Sequence, residues 1–276
     1  MTSRSAAPLR LGLFGYEIAY SWSPKLHPLA LQNIGVKADY QLFDFDPETS
    51  DEVFRKTLSG LDGANITTPY KSRALSWADQ LEDSARIIGA INTLYKEGSQ
   101  WIGANTDVDG LEQLLGPYRN QLNRGVLILG ASGAALTVKF VLETWKISDV
   151  TLSSRSEKAI PSWCNIQELA FGSGPIHQSV IINASPIATT DPAMLNTLIE
   201  RWTNGTDHEA RHWFDLSYRN GALSHRHLLE KRETTFVDGA DMLAVQAAYS
   251  ASRFMGCAPQ VSVYLEALRH IKAKAV

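Results

Sequence analysis

The segment Val126-Leu127-Ile128-Leu129-Gly130-Ala131-Ser132-Gly133-Ala134-Ala135 decides the fold class of this chain. Its four consecutive apolar residues predict a strand that is buried on both faces. The glycine-rich residues after them predict a tight turn, and a helical stretch follows to about Trp145. A strand, a glycine-rich turn and a helix in this order form the fingerprint of dinucleotide binding, in which N–H groups at the helix start bind a pyrophosphate. An ordinary turn without a ligand is the alternative, because Ser132 stands where the fingerprint has its second glycine.

The next predicted strand, Val150–Ser153, is followed by residues that favour a phosphorylated cofactor. NAD-binding proteins usually have an acidic residue near this point, which binds the ribose 2′-hydroxyl. Here Arg155 follows the strand, and a guanidinium can bind a 2′-phosphate through two hydrogen bonds. We therefore expect NADP as the cofactor, with NAD as the open alternative. The residues expected to bind it are Gly130, Ala131, Ser132, Gly133, Ala134, Ser154, Arg155 and Ser156.

Away from this segment, the chain alternates short β-rich runs with segments of helical period, which predicts an α/β fold with mostly parallel sheets. We expect two domains. Residues 1–108, completed by 241–276, form a substrate-binding domain, and residues 109–240 form a Rossmann-like dinucleotide-binding domain. The two C-terminal helices are expected to return to the first domain, because they have no strands of their own to cover.

Composition narrows the class of protein. Of 276 residues, 44% are hydrophobic and 20% are charged, which is typical of a globular chain with a buried core. The net charge of −3 and the absence of a basic stripe argue against a nucleic acid partner. Two cysteines, Cys164 and Cys257, and no long apolar run indicate a cytoplasmic protein that does not enter a membrane. The histidines show no metal-ligand spacing, so we expect no metal, and a monomer and a homodimer both stay open.

Polar residues cluster at the predicted strand ends of the first domain, where the ligand crevice of an α/β fold lies. Ser21 and Ser23 flank a helix start, whose N–H groups and dipole favour a carboxylate. Ser23 followed by Pro24 also predicts the N-cap of that helix. Thr67 and Asn92 can hydrogen-bond the hydroxyl groups of a ligand. A purely structural cap is the alternative for Ser23 and a turn residue is the alternative for Asn92, whereas Ser21 has no comparable structural role in the sequence.

Lys71 and Asp107 are the candidate catalytic pair. The segment Thr68-Pro69 predicts a helix start, which places Lys71 in a first helical turn, where the dipole disfavours a cation. A carboxylate at Asp107 could hold that ammonium and make the pair a proton donor and acceptor. The alternatives are a solvated surface lysine and an aspartate that only caps the helix expected over residues 108–115.

Six motifs in the same order resemble the shikimate dehydrogenase family over nearly the whole chain. The family patterns S-x-S-P-x-x-H and G-x-N-V-T-x-P-x-K correspond to residues 21–27 and 63–71. The patterns G-A-x-N-T and G-x-N-T-D correspond to residues 89–93 and 103–107. Two later segments, residues 183–186 and 239–247, complete the set. Each motif has modest specificity, whereas six in one order are highly specific.

The resemblance implies NADP(H)-dependent, reversible reduction of 3-dehydroshikimate to shikimate, in the chorismate pathway of aromatic amino acid biosynthesis. Lys71 and Asp107 would transfer the proton, and Ser21 and Ser23 would hold the substrate carboxylate. Gly239 would belong to the cofactor site. The remaining residues implied in substrate binding are Thr67, Asn92, Tyr218 and Gln246, with Tyr218 closing the pocket.

Two other functions stay open at this point. A quinate/shikimate dehydrogenase using NAD or NADP would share the same motifs, since quinate differs by one ring hydroxyl. A catalytically silent relative could bind a ring acid or a dinucleotide as a sensor, which the altered turn at Ser132 motivates. The presence of both Lys71 and Asp107 argues against a pure binding protein, because binding alone has less need of a proton-transfer pair.

Overall fold

The computed structural model describes residues 7–154, 167–170, 176–205, 211–218 and 225–275. Arg155, Ser156 and Cys164 lie outside these ranges. The described residues form an α/β fold with two six-stranded sheets, which confirms the predicted fold class. They divide into two compact units. The first holds the residues up to Gly110 and from Leu243 onward, and the second runs from Leu111 to Met242.

The elements of both units follow in chain order. The strands are β1 (Leu9–Gly15), β2 (Ala38–Asp44), β3 (Gly63–Ile66), β4 (Gln80–Leu81), β5 (Thr93–Glu97), β6 (Gln100–Ala104), β7 (Val126–Leu129), β8 (Val150–Ser154), β9 (Gln167–Ala170), β10 (Val180–Asn183), β11 (Arg211–Asp215) and β12 (Thr234–Asp238). The α-helices are α1 (Ser23–Asn33), α2 (Asp51–Ser59), α3 (Asp83–Ile88), α4 (Asp107–Leu115), α5 (Arg119–Leu122), α6 (Gly133–Thr144), α7 (Ile187–Thr190), α8 (Pro192–Gly205), α9 (Arg226–Glu230), α10 (Ala240–Met255) and α11 (Val261–Ala275). Short 3-10 helices occupy Arg73–Trp77 and Gly116–Tyr118.

The first sheet is mixed, with the strand order β2-β1-β3-β5-β6-β4. Strand β1 pairs in parallel with β2 and β3, whereas β5 runs antiparallel to both β3 and β6. Because β5 is reversed, its start lies at the same edge as the ends of β3 and β6. Segments 65–67, 92–93 and 104–107 therefore meet at one edge of the sheet.

An aromatic cluster fixes the segment that leaves this edge after β3. Tyr70 and Trp77 are buried against Phe54, with the rings of Phe54 and Trp77 stacked at 4.4 Å between centroids. The Tyr70 hydroxyl donates to the carbonyl of Phe45 at 2.6 Å. Burying aromatic rings of this size removes large apolar areas from water, which stabilises the packing. The backbone of Lys71, next to Tyr70, is thereby held in place.

The second sheet is parallel, with the strand order β12-β11-β10-β7-β8-β9. The four residues of β7 are completely buried, as predicted for this strand. Strand β7 pairs with β10 on one side and β8 on the other. The strand order therefore reverses at β7, and the glycine-rich turn after it lies at the topological switch point, where doubly wound sheets bind ligands.

Two helix starts differ from the prediction. The segment after Thr68-Pro69, whose peptide bond is cis, is not an α-helix. The N–H of Tyr70 donates to the carbonyl of Thr67 at 2.9 Å and closes a turn instead. Lys71 lies in the turn before the 3-10 helix, so its predicted placement in a first helical turn, against the dipole, is wrong. Ser23 is also not an N-cap, because α1 begins at Ser23 and Trp22 takes the cap position.

Some second-unit features were missed in the sequence. Helix α8 was not predicted, although its buried Leu195, Leu198, Ile199 and Trp202 recur at helical spacing. His225 is also buried in this unit, and its Nε2 lies 3.1 Å from Asp215 Oδ2. No helix in the described ranges is long and apolar enough to cross a membrane. Among those same residues, no group of three metal-ligating side chains occurs.

His27 of α1 is completely buried and contacts α11 and β2. Its Nδ1 lies 3.0 Å from the Tyr264 hydroxyl, and its ring stacks on Tyr40 with the centroids 4.7 Å apart. Nε2 is buried without a hydrogen-bond partner. Burial lowers the pKa of His27 to about 3, because a charged ring would lose its hydration here. His27 is therefore a neutral core residue that joins the first and last helices of the unit.

We expect the protein to lose stability as the pH falls below about 6.5, the ordinary pKa of histidine in an unfolded chain. Below that pH the unfolded chain takes up a proton on His27, whereas the folded protein does not until the pH approaches the lowered pKa of about 3. In this window the titration of His27 alone lowers the free energy of unfolding by about 1.4 kcal/mol for each unit by which the pH falls. Urea denaturation between pH 7.5 and pH 5 measures this dependence.

The variant His27→Gln removes this titration, so its unfolding free energy should depend less on pH than that of the wild-type protein. His270→Gln alters an exposed histidine of α11 and should keep the wild-type dependence. Parallel pH dependences for the wild-type protein and His27→Gln would contradict the assignment of the lowered pKa.

Candidate active site

A lysine and an aspartate from two distant segments meet at the edge of the first sheet. Lys71 Nζ donates a hydrogen bond to Asp107 Oδ2. The Lys71 side chain is 20% exposed and that of Asp107 is 9% exposed, so little water reaches the pair. A buried carboxylate needs a charged partner and hydrogen bonds in place of its hydration. The structure thus brings these two residues together in a setting where a proton can be held and passed on.

The carboxamide of Asn92 holds Asp107 from the other side. Its Oδ1 accepts the backbone N–H of Thr106 at 2.8 Å, which settles which end of the amide is the oxygen. Its Nδ2 therefore donates to Asp107 Oδ1 at 2.8 Å and to Gln246 Oε1 at 3.2 Å. Both N–H groups are engaged, so a ligand hydroxyl could accept from Asn92 only by taking the place of Gln246. Asn92 thereby orients the carboxylate that Lys71 pairs with.

Gln246 reaches this edge from α10. Its Oε1 accepts from Asn92 Nδ2 and lies 3.3 Å from the Thr106 hydroxyl. Its Nε2 donates to the carbonyl of Leu243 at 3.0 Å. The C-terminal helices therefore supply a side chain to the first sheet from a position far along the chain. The structure brings Gln246 together with Asn92, Asp107 and Lys71.

Three predicted hydroxyl residues follow β1 and β3, with Ser21 and Ser23 at the start of α1 and Thr67 directly after β3. The N–H of Thr67 donates to the carbonyl of Phe14 at 2.9 Å, which holds Thr67 beside the end of β1. Ser21 Oγ accepts the N–H of Ser23 at 3.2 Å, a structural role that the sequence did not reveal. Helix α1 has no side-chain cap at its N-cap position. Its first turn has no backbone N–H left for an anion, because Pro24 has none, Ser23 donates to Ser21 and Lys25 donates to the Trp22 carbonyl, so the serine hydroxyls are the donors at this helix start.

The loop between β1 and α1 is held by Asp44 at the end of β2. Glu17 in this loop has a φ of 53°, in the left-handed region that residues other than glycine rarely adopt. Asp44 accepts the N–H of Glu17 at 2.8 Å and that of Ile18 at 3.2 Å. Because one carboxylate binds both N–H groups, the loop is fixed in this conformation and delivers Ser21 to the start of α1. Sequence reasoning missed Asp44, although an aspartate at a strand end is a known turn signal.

The glycine-rich turn of the second unit has the geometry of a phosphate site. Gly130 has a φ of 111°, and a Cβ there would come within 3.1 Å of the Ala184 carbonyl, so the turn requires glycine. Ser132 has an extended backbone, with φ −81° and ψ 172°. Any residue can adopt this conformation, so the side chain of Ser132 does not restrict the backbone of the turn. Ser132 Oγ donates to the Ala184 carbonyl at 3.2 Å instead of capping α6.

These features fit a bound dinucleotide. The first turn of α6 consists of Gly133, which has no side chain, and Ala134 and Ala135, which have only a methyl group, so the backbone is open to a pyrophosphate. The dipole of the twelve-residue helix α6 adds favourable positive potential at this end. Ala131 is half-buried between the turn and the helix. The residues of this turn could therefore hold the phosphates of NADP or NAD.

The other predicted residues of the second unit are spread over its sheet. Ser154 ends β8, and Tyr218 is half-buried shortly after β11. Gly239 follows β12, and a Cβ there would come within 2.5 Å of the Leu216 carbonyl, so close backbone packing explains this glycine. Arg155 and Ser156 lie outside the described residues.

A family model described as the shikimate dehydrogenase substrate binding domain matches residues 13–94. A shikimate dehydrogenase (NADP(+)) from Oceanobacillus iheyensis is 36% identical over 200 residues, which cover 67% of this chain and 71% of that protein. Another, from an Exiguobacterium species, is 29% identical over 256 residues, covering 92% of this chain and 96% of that protein. The crystal structure of shikimate 5-dehydrogenase from Thermus thermophilus in complex with NADP(H) and shikimate is similar, with a TM-score of 0.80. Its sequence is 26% identical, and the match covers 95% of this chain and 99% of that one.

Proposed function

This chain belongs to the shikimate dehydrogenase family, and we propose that it catalyses the reversible, NADP(H)-dependent reduction of 3-dehydroshikimate to shikimate. The observation that carries the proposal is the contact of Lys71 with Asp107, oriented by Asn92. Relatives that carry the name of this activity support the substrate class. A ring acid with several hydroxyl groups also suits the donors and acceptors that meet at this edge of the sheet.

We assign substrate binding to residues 1–108 with 241–276. Ser21 and Ser23, at the start of α1, would hold the carboxylate through their hydroxyls. Thr67 would bind a ring hydroxyl, and so would Asn92 and Gln246, since a hydroxyl can replace the contact between their two amides. Tyr218 would close the pocket. Each of these assignments is testable by a separate alanine variant.

Lys71 would handle the proton of the reaction. In the reducing direction, the carbonyl oxygen becomes an alkoxide, and the Lys71 ammonium would donate a proton to it. Asp107 keeps the ammonium in position, and Asn92 keeps the carboxylate in position. General acid catalysis of this kind contributes about 10²–10⁴-fold to a rate. In the oxidising direction, neutral Lys71 would take the proton back.

Residues 109–240 would hold the cofactor. A bound NADP(H) would supply or accept the hydride, which is chemistry that no protein side chain provides. The turn from Gly130 to Ala134 would hold its pyrophosphate, with Gly239 nearby in the same unit. Ser154, Arg155 and Ser156 would bind the adenosine ribose phosphate. We also propose a cytoplasmic location and a monomeric or homodimeric state, which light scattering after gel filtration can measure.

With NADP as the cofactor, we expect the wild-type protein to oxidise shikimate at a higher kcat/KM than quinate. With shikimate as the substrate, we expect a higher kcat/KM with NADP than with NAD. A steady-state panel of both acids with both cofactors measures these four values. A higher kcat/KM with quinate would identify the protein as a quinate/shikimate dehydrogenase. Absence of turnover, together with a rise in melting temperature on adding shikimate, would favour the sensor.

Replacing the proposed proton donor should affect turnover far more than binding. We expect Lys71→Ala to lower kcat for shikimate oxidation by about 10²–10⁴-fold, because the reacting hydroxyl then has no adjacent group to take its proton. The KM for shikimate should change much less. Lys56→Ala, which removes an exposed lysine of α2, is the matched control. Unchanged kcat in Lys71→Ala would refute the proposed role of this residue.

The choice of cofactor should depend on Arg155. We expect Arg155→Ala to raise the KM for NADP by about 10–100-fold, since a charge-assisted pair of hydrogen bonds to the 2′-phosphate is lost. The KM for NAD should stay within about twofold because NAD has no such phosphate. Arg124→Ala, at an exposed arginine of the same unit, should alter neither value. An equal rise of both KM values would argue that Arg155 does not bind the phosphate.

A further inference from the structure

We infer that Ser250, on α10, is a positioning residue that holds Asn92, and through it Asp107, in the geometry that proton transfer needs. This inference rests on the proposed function. Ser250 lies beyond the last recognised sequence motif, which ends at Ala247. Its side chain is completely buried, and it connects the C-terminal helices to the edge of the first sheet.

The Ser250 hydroxyl is the meeting point of four segments of the first unit. A serine oxygen can donate one hydrogen bond and accept two, so four neighbours exceed its capacity and must share it. The distances from Ser250 Oγ are 2.9 Å to Asn65 Nδ2, 2.8 Å to Thr93 Oγ1, 3.0 Å to Thr106 Oγ1 and 3.0 Å to the Gln246 carbonyl.

Asn65 settles the direction of one of these bonds. Its Oδ1 accepts the Tyr40 hydroxyl at 2.9 Å, so its Nδ2 is the end that faces Ser250. The same Nδ2 lies 3.3 Å from the Asn92 carbonyl, which requires a donor at that end of the amide. Ser250 therefore accepts a hydrogen bond from Asn65, and its single proton is shared between the Gln246 carbonyl, which can only accept, and the threonine hydroxyls.

Thr93 and Thr106 connect Ser250 to Asn92. Their hydroxyls lie 3.0 Å and 3.1 Å from Asn92 Oδ1, and both side chains are completely buried. Two hydroxyl oxygens 2.8 Å apart need a proton between them, so the Ser250 hydroxyl decides where the Thr93 and Thr106 protons point. Removing Ser250 Oγ would take one partner from each threonine at a completely buried place, so both hydroxyls would reorient among the contacts that remain to them. The Asn92 oxygen, which they share, would then be positioned mainly by the Thr106 N–H, with less support from the two hydroxyls.

Ser250 also fixes how α10 approaches the sheet. Gln246 precedes it by one helical turn on the same face, so the position of Ser250 sets the distance between the Gln246 and Asn92 amides. One turn later, Arg253 donates two hydrogen bonds to Glu82, at 2.7 Å and 2.8 Å. This second anchor should keep α10 docked when the Ser250 hydroxyl is removed. A variant at Ser250 is therefore expected to fold.

The variant Ser250→Ala tests the inference against Ser252→Ala. Ser252 lies on the same helix, is also nearly buried, and donates only to the Tyr249 carbonyl. We expect Ser250→Ala to lower kcat for shikimate about tenfold with KM changed less than about threefold, since small displacements of a catalytic group cost rate more than affinity. Ser252→Ala should stay within about twofold of the wild-type protein in both values.

The pair Ser250→Thr and Ser250→Val separates the hydroxyl from the volume of the side chain. Both variants add a similar bulk, and only Ser250→Thr keeps a hydroxyl, so its kcat should exceed that of Ser250→Val by about fivefold or more. A double variant adds a further check. In an Asn92→Ala background, Ser250→Ala should have no additional effect on kcat, because Ser250 acts through Asn92.

A measurement without substrate separates this inference from the proposed function. The N–H of Thr106 is bound to Asn92 Oδ1 at 2.8 Å, so its hydrogen exchange reports the position of Asn92. We expect Ser250→Ala to speed this exchange about tenfold at a pH and temperature where the protein is folded, and Ser252→Ala to leave it unchanged. A wild-type protein without turnover would refute the proposed function, whereas this exchange result would still stand.

Three results would overturn the inference. The first is unchanged kcat and unchanged Thr106 exchange in a folded Ser250→Ala variant. The second is equal kcat values for Ser250→Thr and Ser250→Val. The third is a full, additive effect of Ser250→Ala in the Asn92→Ala background, which would indicate a general structural role instead of one through Asn92.

Discussion

The burial of the Asp107 carboxylate is the constraint on which the candidate site depends. A charge with so little access to water must be matched by donors that the protein supplies. Lys71 supplies the opposite charge, and Asn92 supplies a second donor to the other oxygen. Breaking a buried pair by removing one partner typically costs about 3–5 kcal/mol. The same bonds that stabilise this charge also place an ammonium and a carboxylate in fixed positions, so stability and proposed chemistry depend on the same contacts.

The reversal of β5 in the first sheet makes this arrangement possible. In a purely parallel sheet, the residues before a strand lie at the edge opposite to the residues after its neighbours. Because β5 runs against β3 and β6, Asn92 precedes its strand yet lies beside Asp107, which follows β6. The polar residues behind them, including Asn65, Thr93 and Ser250, are buried and bonded to one another. A buried polar network of this kind is stable only when its members find partners, and it restricts the amides to one orientation.

The candidate ligand site of the second unit depends on a different feature of the fold. Its parallel sheet reverses strand order at β7, and the turn after that strand opens onto the start of α6. Ser132 changes the usual chemistry of the turn without changing its backbone, since its extended conformation suits any residue. Its hydroxyl contacts the segment after β10, so it braces the turn against the neighbouring strand. The departure from the glycine pattern is therefore compatible with the geometry of a phosphate site.

The sequence by itself determined the fold class, the strands β7 and β8 beside the glycine-rich turn and the two terminal helices, because apolar periodicity and glycine positions are local signals. It also singled out Lys71, Asn92 and Asp107, since polar residues at strand ends form recognisable motifs. It could not place the turn that carries Lys71, where aromatic packing of Tyr70 and Trp77 outweighs the local signal for a helix start. Nor could it reveal Asp44 or Ser250, whose partners lie far away along the chain. Which donor faces which acceptor was decided only by the tertiary structure, because hydrogen bonds between distant segments exist only once the strands and α10 have packed.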